Sequence, residues 1–500
     1  MILLKNTVAN YVGRIYVIVT GIVVLPLYMQ YLGDEAYGLV GLFTVVQSWI
    51  QLLNMGLAPT LGREAAKARA SKHGFESFYR VLTSYELIFA VLVGLMIFAT
   101  VLGSGWFATS WLKVESLAIT SVELSVMLML FVAAVRFQGS LYRSGIMGLE
   151  KQVYMNVMDV IFVSLRFLGG LCLVAFISNN VVHYFVYQLV LSLAELVVVR
   201  NKQFALVPKS VARSYGFYWS VVKPTLPFAM GIAYTAGIWV LITQVDKAIL
   251  SGGLSLTEFG YYTLVALVVG GILQISQPLS EAIRPRMTVF AESGKTQELH
   301  ALYLLGTQLV AAVCLSAAFV IAFNARPLIY LWTGNQDAAA WSEEVLFWFA
   351  LGNGILAVAA FQYYLQFAYG KLKLHVFGST LSACVQVPVI AYAAYHYGAL
   401  GAAKAWFGVR LLFFIFWVPV VHRAFAKGLH VQWLCKAVLP AALFIFSVSY
   451  FWPQHLFGED RIGLLCNILT QSLTVFIFSL LCIKTIRHRF LGYFGSVFNE

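Results

Sequence analysis

Tyr31-Leu32-Gly33-Asp34-Glu35-Ala36-Tyr37-Gly38 is a short polar turn set between two apolar runs, Val8 to Gln30 and Tyr37 to Ala58. Each run reaches the ~20 residues that a helix needs to cross a bilayer, so the turn reads as the bend of a transmembrane hairpin. The first run carries Arg14, and an arginine facing hydrocarbon costs roughly 2.5 to 3.5 kcal/mol on insertion scales, so it is expected to face protein or a water-filled cavity. The second run places Gln47, Gln51 and Asn54 at i, i+4 and i+7, one face of a helix. Two helices with matched polar stripes predict a lined cavity. After them, Gly56 to Glu64 leads into a stretch with Arg63, Lys67, Arg69, Lys72 and Arg80, which reads as a cytoplasmic loop.

The rest of the chain extends this pattern. Hydrophobic residues make up 61% and charged residues 11% of it, with mean hydropathy +0.82, against about 25% charged in soluble domains. This is the composition of an all-α polytopic membrane protein. The ~20-residue template finds fourteen spans, near 8–30, 37–58, 81–103, 119–141, 155–177, 182–200, 224–250, 261–282, 300–323, 344–369, 375–397, 401–422, 436–453 and 463–483. The net charge of +12 reflects topology and not a nucleic-acid partner. Of the 33 Lys and Arg, 24 fall on the side of the termini and four (Lys113, Lys247, Arg326, Arg461) on the other. The remaining five, Arg14, Arg136, Arg166, Lys404 and Arg410, lie inside spans. Both termini are therefore expected in the cytoplasm. The first span is too long for a signal-peptide core and no small-residue cleavage site follows it, so it is expected to remain.

An internal repeat organises the spans. Tyr37-Gly38 is echoed by Phe259-Gly260, and at an offset of 223 residues Gln51 falls on Gln274, Asn54 on Gln277 and Arg63 on Arg286. The copies start six spans apart, so they share orientation and predict two six-helix lobes related by a pseudo-two-fold axis along the membrane normal. The expected organisation is an N-lobe (1–200), a basic cytoplasmic linker (201–223), a C-lobe (224–422), and two appended helices with a cytoplasmic tail (423–500).

Several chemistries are excluded. Gly294-Lys295-Thr296 lacks the upstream glycine of a phosphate-binding loop, since position 289 is Val289, and no strand precedes it. The six cysteines and nine histidines show no metal-ligand or disulfide spacing, so no metal, cofactor or catalytic group is expected. The longest outer loop, roughly 324–343, is too small for a soluble catalytic domain.

The embedded ionisable residues remain. Asn10 lies one turn before Arg14 on the same face, and Asp159 and Arg166 share a face of span five. Arg136 lies in the inner third of span four, and Glu86, Glu123 and Glu195 sit in spans three, four and six. Each could be a buried ion pair or a snorkelling end residue; Glu123 and Lys404, near span ends, read that way. Three of the four embedded arginines lie in the first lobe although the polar stripes are symmetric. Arginine keeps its charge when desolvated and grips phosphate oxygens bidentately, so this asymmetry points to an anionic, phosphate-bearing ligand. The candidate substrate residues are Arg14, Arg136, Arg166, Arg410, Asn10, Gln51, Asn54, Gln274 and Gln277. Candidates for ion coupling or gating are Glu86, Asp159, Asp246, Arg63 and Arg286.

The sequence resembles the O-antigen and exopolysaccharide flippases of the multidrug/oligosaccharidyl-lipid/polysaccharide (MOP) exporter superfamily. The resemblance rests on Tyr31 to Leu39, on Gly56 to Glu64 and on Gly148-Leu149-Glu150-Lys151-Gln152. It extends to Asp246-Lys247-Ala248-Ile249-Leu250-Ser251 and Glu258-Phe259-Gly260-Tyr261-Tyr262. It implies two six-helix bundles with a cationic cavity that moves undecaprenyl-diphosphate-linked oligosaccharide to the outer leaflet of a bacterial inner membrane. For partners it implies membrane lipids, a polysaccharide polymerase and a chain-length regulator, around a monomeric transporter without cofactor. The similar lipid II flippases carry an Asp-Arg pair in span eight where this chain reads Leu264-Val265, which disfavours a peptidoglycan substrate. The second reading is a cation-coupled drug or toxin exporter of the same superfamily, which would favour embedded carboxylates; the third is a membrane-embedded sugar polymerase or ligase.

Overall fold

The structure is a computed structural model. It describes the backbone of residues 2–54, 56–70, 74–213, 215–453, 456–458 and 460–483, and the side chains of the same residues from 16 onward except 18 and 70. In chain order its helices are α1 (Ile2–Leu32), α2 (Asp34–Ile50), α3 (Leu57–Ala70), α4 (Gly74–Trp106), α5 (Ile119–Gly148), α6 (Gln152–Ile177), α7 (Val181–Ala205) and α8 (Trp219–Gly253). They continue as α9 (Leu256–Glu292), α10 (Thr296–Phe323), α11 (Ala325–Thr333), α12 (Gln336–Ala368), α13 (Lys373–Phe425), α14 (Leu429–Tyr450) and α15 (Arg461–Leu481). No strand occurs among the described residues; one isolated bridge joins Lys113 to Ser255.

Twelve described helices are long and apolar enough to cross a membrane. One of them, α13, runs 53 residues but is broken at Gly398 (φ 60°, ψ −149°), a backbone region essentially confined to glycine. Dividing α13 there and adding α1 brings the crossings to the fourteen predicted, with the break falling between spans 375–397 and 401–422.

Two departures have local causes. The stretch after Gly56, expected as a loop, is α3: Leu57, Leu61, Ala65 and Ala68 are buried while Arg63, Lys67 and Arg69 are exposed, an amphipathic helix whose apolar stripe packs on α4 and α5. The positive charges that signalled a connection occupy its polar face. The predicted span 37–58 is also shorter than expected. It leaves α-geometry in a 3-10 turn, Gln51–Asn54, and the chain turns at Gly56 (φ +68°), where a Cβ would sit 2.1 Å from the Ala229 carbonyl oxygen. The corresponding repeat copy, α9, is a single 37-residue helix. The outer segment near 324–343 likewise contains α11 and the start of α12.

The chain divides into two compact units, 1–260 and 261–500. In the first, α5 is central and contacts α2, α3, α4 and α7, α1 lies on α6, and α8 packs against α2 and α3. Its interior includes the stacked Phe89–Phe137 pair, with centroids 4.5 Å apart. In the second, α12 packs on α10, α11 and α13, and α14 and α15 pack on α10 and on each other.

Candidate functional site

α5 carries Arg136 and, two turns on, Arg143; α7 presents Gln188, Ser192 and Glu195 at i, i+4 and i+7. Because α5 and α7 pack along their length, these rows meet and form a polar seam within the first unit. At one end Arg136 donates from Nε to Ser192 Oγ (3.1 Å), from Nη1 to Gln47 Oε1 (2.6 Å) and from Nη2 to Gln188 Oε1 (2.9 Å). The Phe43 ring lies 5.0 Å away. All three acceptors are neutral, and no ion pair among the described residues includes Arg136. A guanidinium has five N–H donors, so two remain beyond these three bonds.

Gln188 is itself positioned by a backbone irregularity. α6 widens into a π-turn at Leu165–Gly169, which frees carbonyls that a membrane helix must satisfy internally. Tyr28 of α1 donates to the Arg166 and Phe167 oxygens (3.0 and 2.9 Å), Tyr187 to Leu165 (2.8 Å), and Gln188 Nε2 to Arg166 O (3.2 Å). The Gln188 amide thus donates to the bulge and accepts from Arg136, which fixes its orientation.

Further along the seam the charges cancel. Glu195 pairs with Arg143 (2.7 Å) and Arg166, and Arg143 also pairs with Asp159. Glu86 of α4 takes Arg200 Nε (2.7 Å) and the Tyr142 and Tyr215 hydroxyls. Burial, then the Glu86 carboxylate, pushes the Tyr215 phenol up to about 12, so it remains a donor at neutral pH. Every carboxylate of the seam is therefore engaged by arginine, while Arg136 contributes a positive charge without a negative partner. Desolvated charge with spare donors attracts an anion.

Where α2 starts, the same unit is held together by side-chain contacts to the main chain. Buried Glu35 accepts the amides of Glu115 (2.6 Å), Ser116 (2.8 Å) and Leu117 (3.0 Å) and the Ser116 hydroxyl. The adjoining Trp111 and Lys113 hold the α8–α9 turn through Ser251 Oγ (3.1 Å), Gly253 O (2.6 Å) and the amide of Leu256 (3.1 Å).

A sequence model described as polysaccharide biosynthesis protein matches residues 3–291. The chain belongs to that family. It is an all-helical protein whose described residues carry the apolar helices of a multi-pass membrane protein. Its fold is similar to that of the lipid II flippase MurJ in an inward closed conformation, with TM-score 0.70 and 13% identity over 98% of this chain and 99% of that one. An inward-facing multidrug resistance MATE family transporter matches with TM-score 0.65 and 13% identity, over 82% and 96%. A Vibrio cholerae MATE transporter matches with TM-score 0.56 and 14% identity, over 86% and 97%. At these identities the likeness speaks of fold alone. No curated protein sequence matches the chain at a significant level.

The candidate residues of this polysaccharide biosynthesis protein are placed as follows. The side chains of Arg14 and Asn10 lie outside the described residues. Arg136, Arg166 and Asp159 belong to the seam, the last two as ion-pair members, and Glu86 pairs with Arg200. Asn54 accepts the amide of Ala58 (3.2 Å) in the first turn of α3 and donates to Ser140 (3.4 Å), and Gln51 is exposed beside it. Gln274 is exposed and Gln277 half-buried on α9. Arg63 lies over the Phe228 ring (4.2 Å) and Arg286 over Phe290 (5.6 Å). Asp246 is buried, 3.6 Å from Lys247. In the second unit Arg410 is buried, bonded to Gln386 and 4.2 Å from the Trp406 ring. Leu264 and Val265 are fully buried. Arg143, Gln188 and Ser192 were not among the candidates. The i, i+4, i+7 row on α7 was a readable signal, whereas Arg143 was counted with the basic span ends.

Proposed function

We propose that the protein is a flippase that carries undecaprenyl-diphosphate-linked oligosaccharide repeat units from the cytoplasmic to the outer leaflet of a bacterial inner membrane, supplying O-antigen or other surface polysaccharide synthesis. The observation that carries this reading is Arg136, a guanidinium at membrane level bound only to neutral acceptors among the described residues, with donors to spare. A diphosphate supplies the missing negative charge. The seam also favours an anion over a cationic drug, because Glu195, Asp159 and Glu86 are already neutralised.

In this reading Arg14, Arg166, Arg410 and the amides Asn10, Gln51, Asn54, Gln274 and Gln277 line or border the path, and lobes 1–200 and 224–422 rock about it in alternating access. The Trp111–Lys113 clasp on the α8–α9 turn is the outer closure. Moving about two negative charges outward gains roughly 4 to 5 kcal/mol per 100 mV of inside-negative potential, so the step runs without nucleotide hydrolysis. The test is flipping of lipid-linked oligosaccharide by purified protein in liposomes, normalised to folded protein. Arg136→Lys keeps the charge and loses the fork, and should lower flipping about tenfold; Arg136→Gln should nearly abolish it. Wild-type flipping by folded Arg136→Gln would overturn the assignment.

A further inference from the structure

Around its break at Gly398, α13 forms a hairpin with a cavity of ≈ 820 Å³ in its crotch, lined by Pro388, Tyr392, Tyr397, Leu400 and Lys404 among others. Lys404 lies six residues beyond the break, about 9 Å along the helix, and its ammonium is 6.0 Å from the Trp348 ring. No ion pair among the described residues includes it. The faces around the cavity are exposed and apolar: Leu412, Ile415 and Phe416 continue the Lys404 side of the second helix, and Val389 lies on the first. Tyr392 and Tyr397 are 63% and 69% exposed, so their hydroxyls are available as donors at the rim, the usual place of tyrosine at a membrane interface.

We infer that this groove is a binding site for one anionic glycerophospholipid. An exposed apolar face at membrane level meets acyl chains, and a lone ammonium above it selects a headgroup of net negative charge. The phosphodiester would sit on Lys404 Nζ with the Tyr392 and Tyr397 hydroxyls donating to its oxygens, and one acyl chain would run down past Leu412 and Phe416. A lysine stem is long enough to carry its ammonium to an interface, and the groove belongs to the second unit, whereas the arginine seam belongs to the first.

The experiment uses the full chain, delipidated in detergent and titrated with phosphatidylglycerol or phosphatidylcholine of identical chains, with bound lipid counted by native mass spectrometry. One phosphatidylglycerol should be retained in preference to phosphatidylcholine, and a photoactivatable phosphatidylglycerol should label the peptide 388–405. Lys404→Gln should weaken that binding about fivefold, Lys404→Arg should preserve it, and Lys371→Gln, remote in sequence from the groove, should leave it unchanged. Lys404→Met, similar in volume, serves if the glutamine variant fails to fold. Equal binding of the two lipids, unchanged binding in both neutral variants, labelling elsewhere, or one-for-one displacement of phosphatidylglycerol by undecaprenyl phosphate would each overturn the assignment.

Discussion

Two half-buried arginines of one bundle, Arg136 and Arg166, differ in what their removal or that of their partners would strand. Glu195 holds Arg143 and Arg166, so Glu195→Gln leaves Arg166 without its carboxylate partner and Arg143 with Asp159 alone. Breaking such a buried pair costs about 3 to 5 kcal/mol. Arg136→Gln removes a charge whose partners are amides and a hydroxyl, and the stranded neutral groups cost about 1 to 3 kcal/mol. The expected order in detergent thermal unfolding is therefore Glu195→Gln well below Arg136→Gln. Flipping per folded molecule should follow the opposite order, with Arg136→Gln the more damaged. Parallel losses in both measurements would mean that the two arginines do the same work.

At the scale of elements, the α2–α3 junction shows why glycines are not interchangeable positions. Gly56 has positive φ and its missing Cβ lies against the Ala229 carbonyl of α8, whereas Gly270 and Gly271 of α9 have nothing within 4 Å. Gly56→Ala should reduce the folded fraction sharply, since no side chain can yield to relieve a backbone clash. Gly270→Ala and Gly271→Ala should be neutral or gain up to about 1 kcal/mol each, as helix-interior Gly→Ala changes do; fluorescence-detected gel filtration of tagged variants reads both. The hinge of α13 behaves like Gly56 for a different reason. Gly398→Ala meets open space but a forbidden backbone, with an expected cost of about 1 to 3 kcal/mol.

For the whole molecule, the bias of basic residues and the fourteen crossings together predict that reporter fusions at Lys72, Lys209 and Arg489 face the cytoplasm and those at Lys113 and Asp337 the exterior. Reversal at two of these sites would defeat that topology. The clasp adds a functional prediction. A cysteine pair at Lys113 and Ser255, bridged in the structure, should on oxidation stop flipping and on reduction restore it; an oxidised protein that still flips would show that this end need not open.

The number and placement of the spans were legible in the sequence because hydropathy over ~20 residues is a local property that the bilayer reads directly; even the division of α13 followed from the interruption around Gly398. The presence of α3 was legible too, in the spacing of Leu57, Leu61, Ala65 and Ala68, although its charges dominated the reading. What the sequence could not show is which charges meet. Arg136 and Arg166 are alike as isolated letters in apolar spans, and Asp159 shares a helical face with Arg166 yet pairs with Arg143. Partner choice depends on how α5, α6 and α7 are packed and on a π-turn whose freed carbonyls capture Tyr28 and Gln188. No pattern within one helix encodes that arrangement, so only the tertiary structure separated the neutralised arginine from the one with charge to offer.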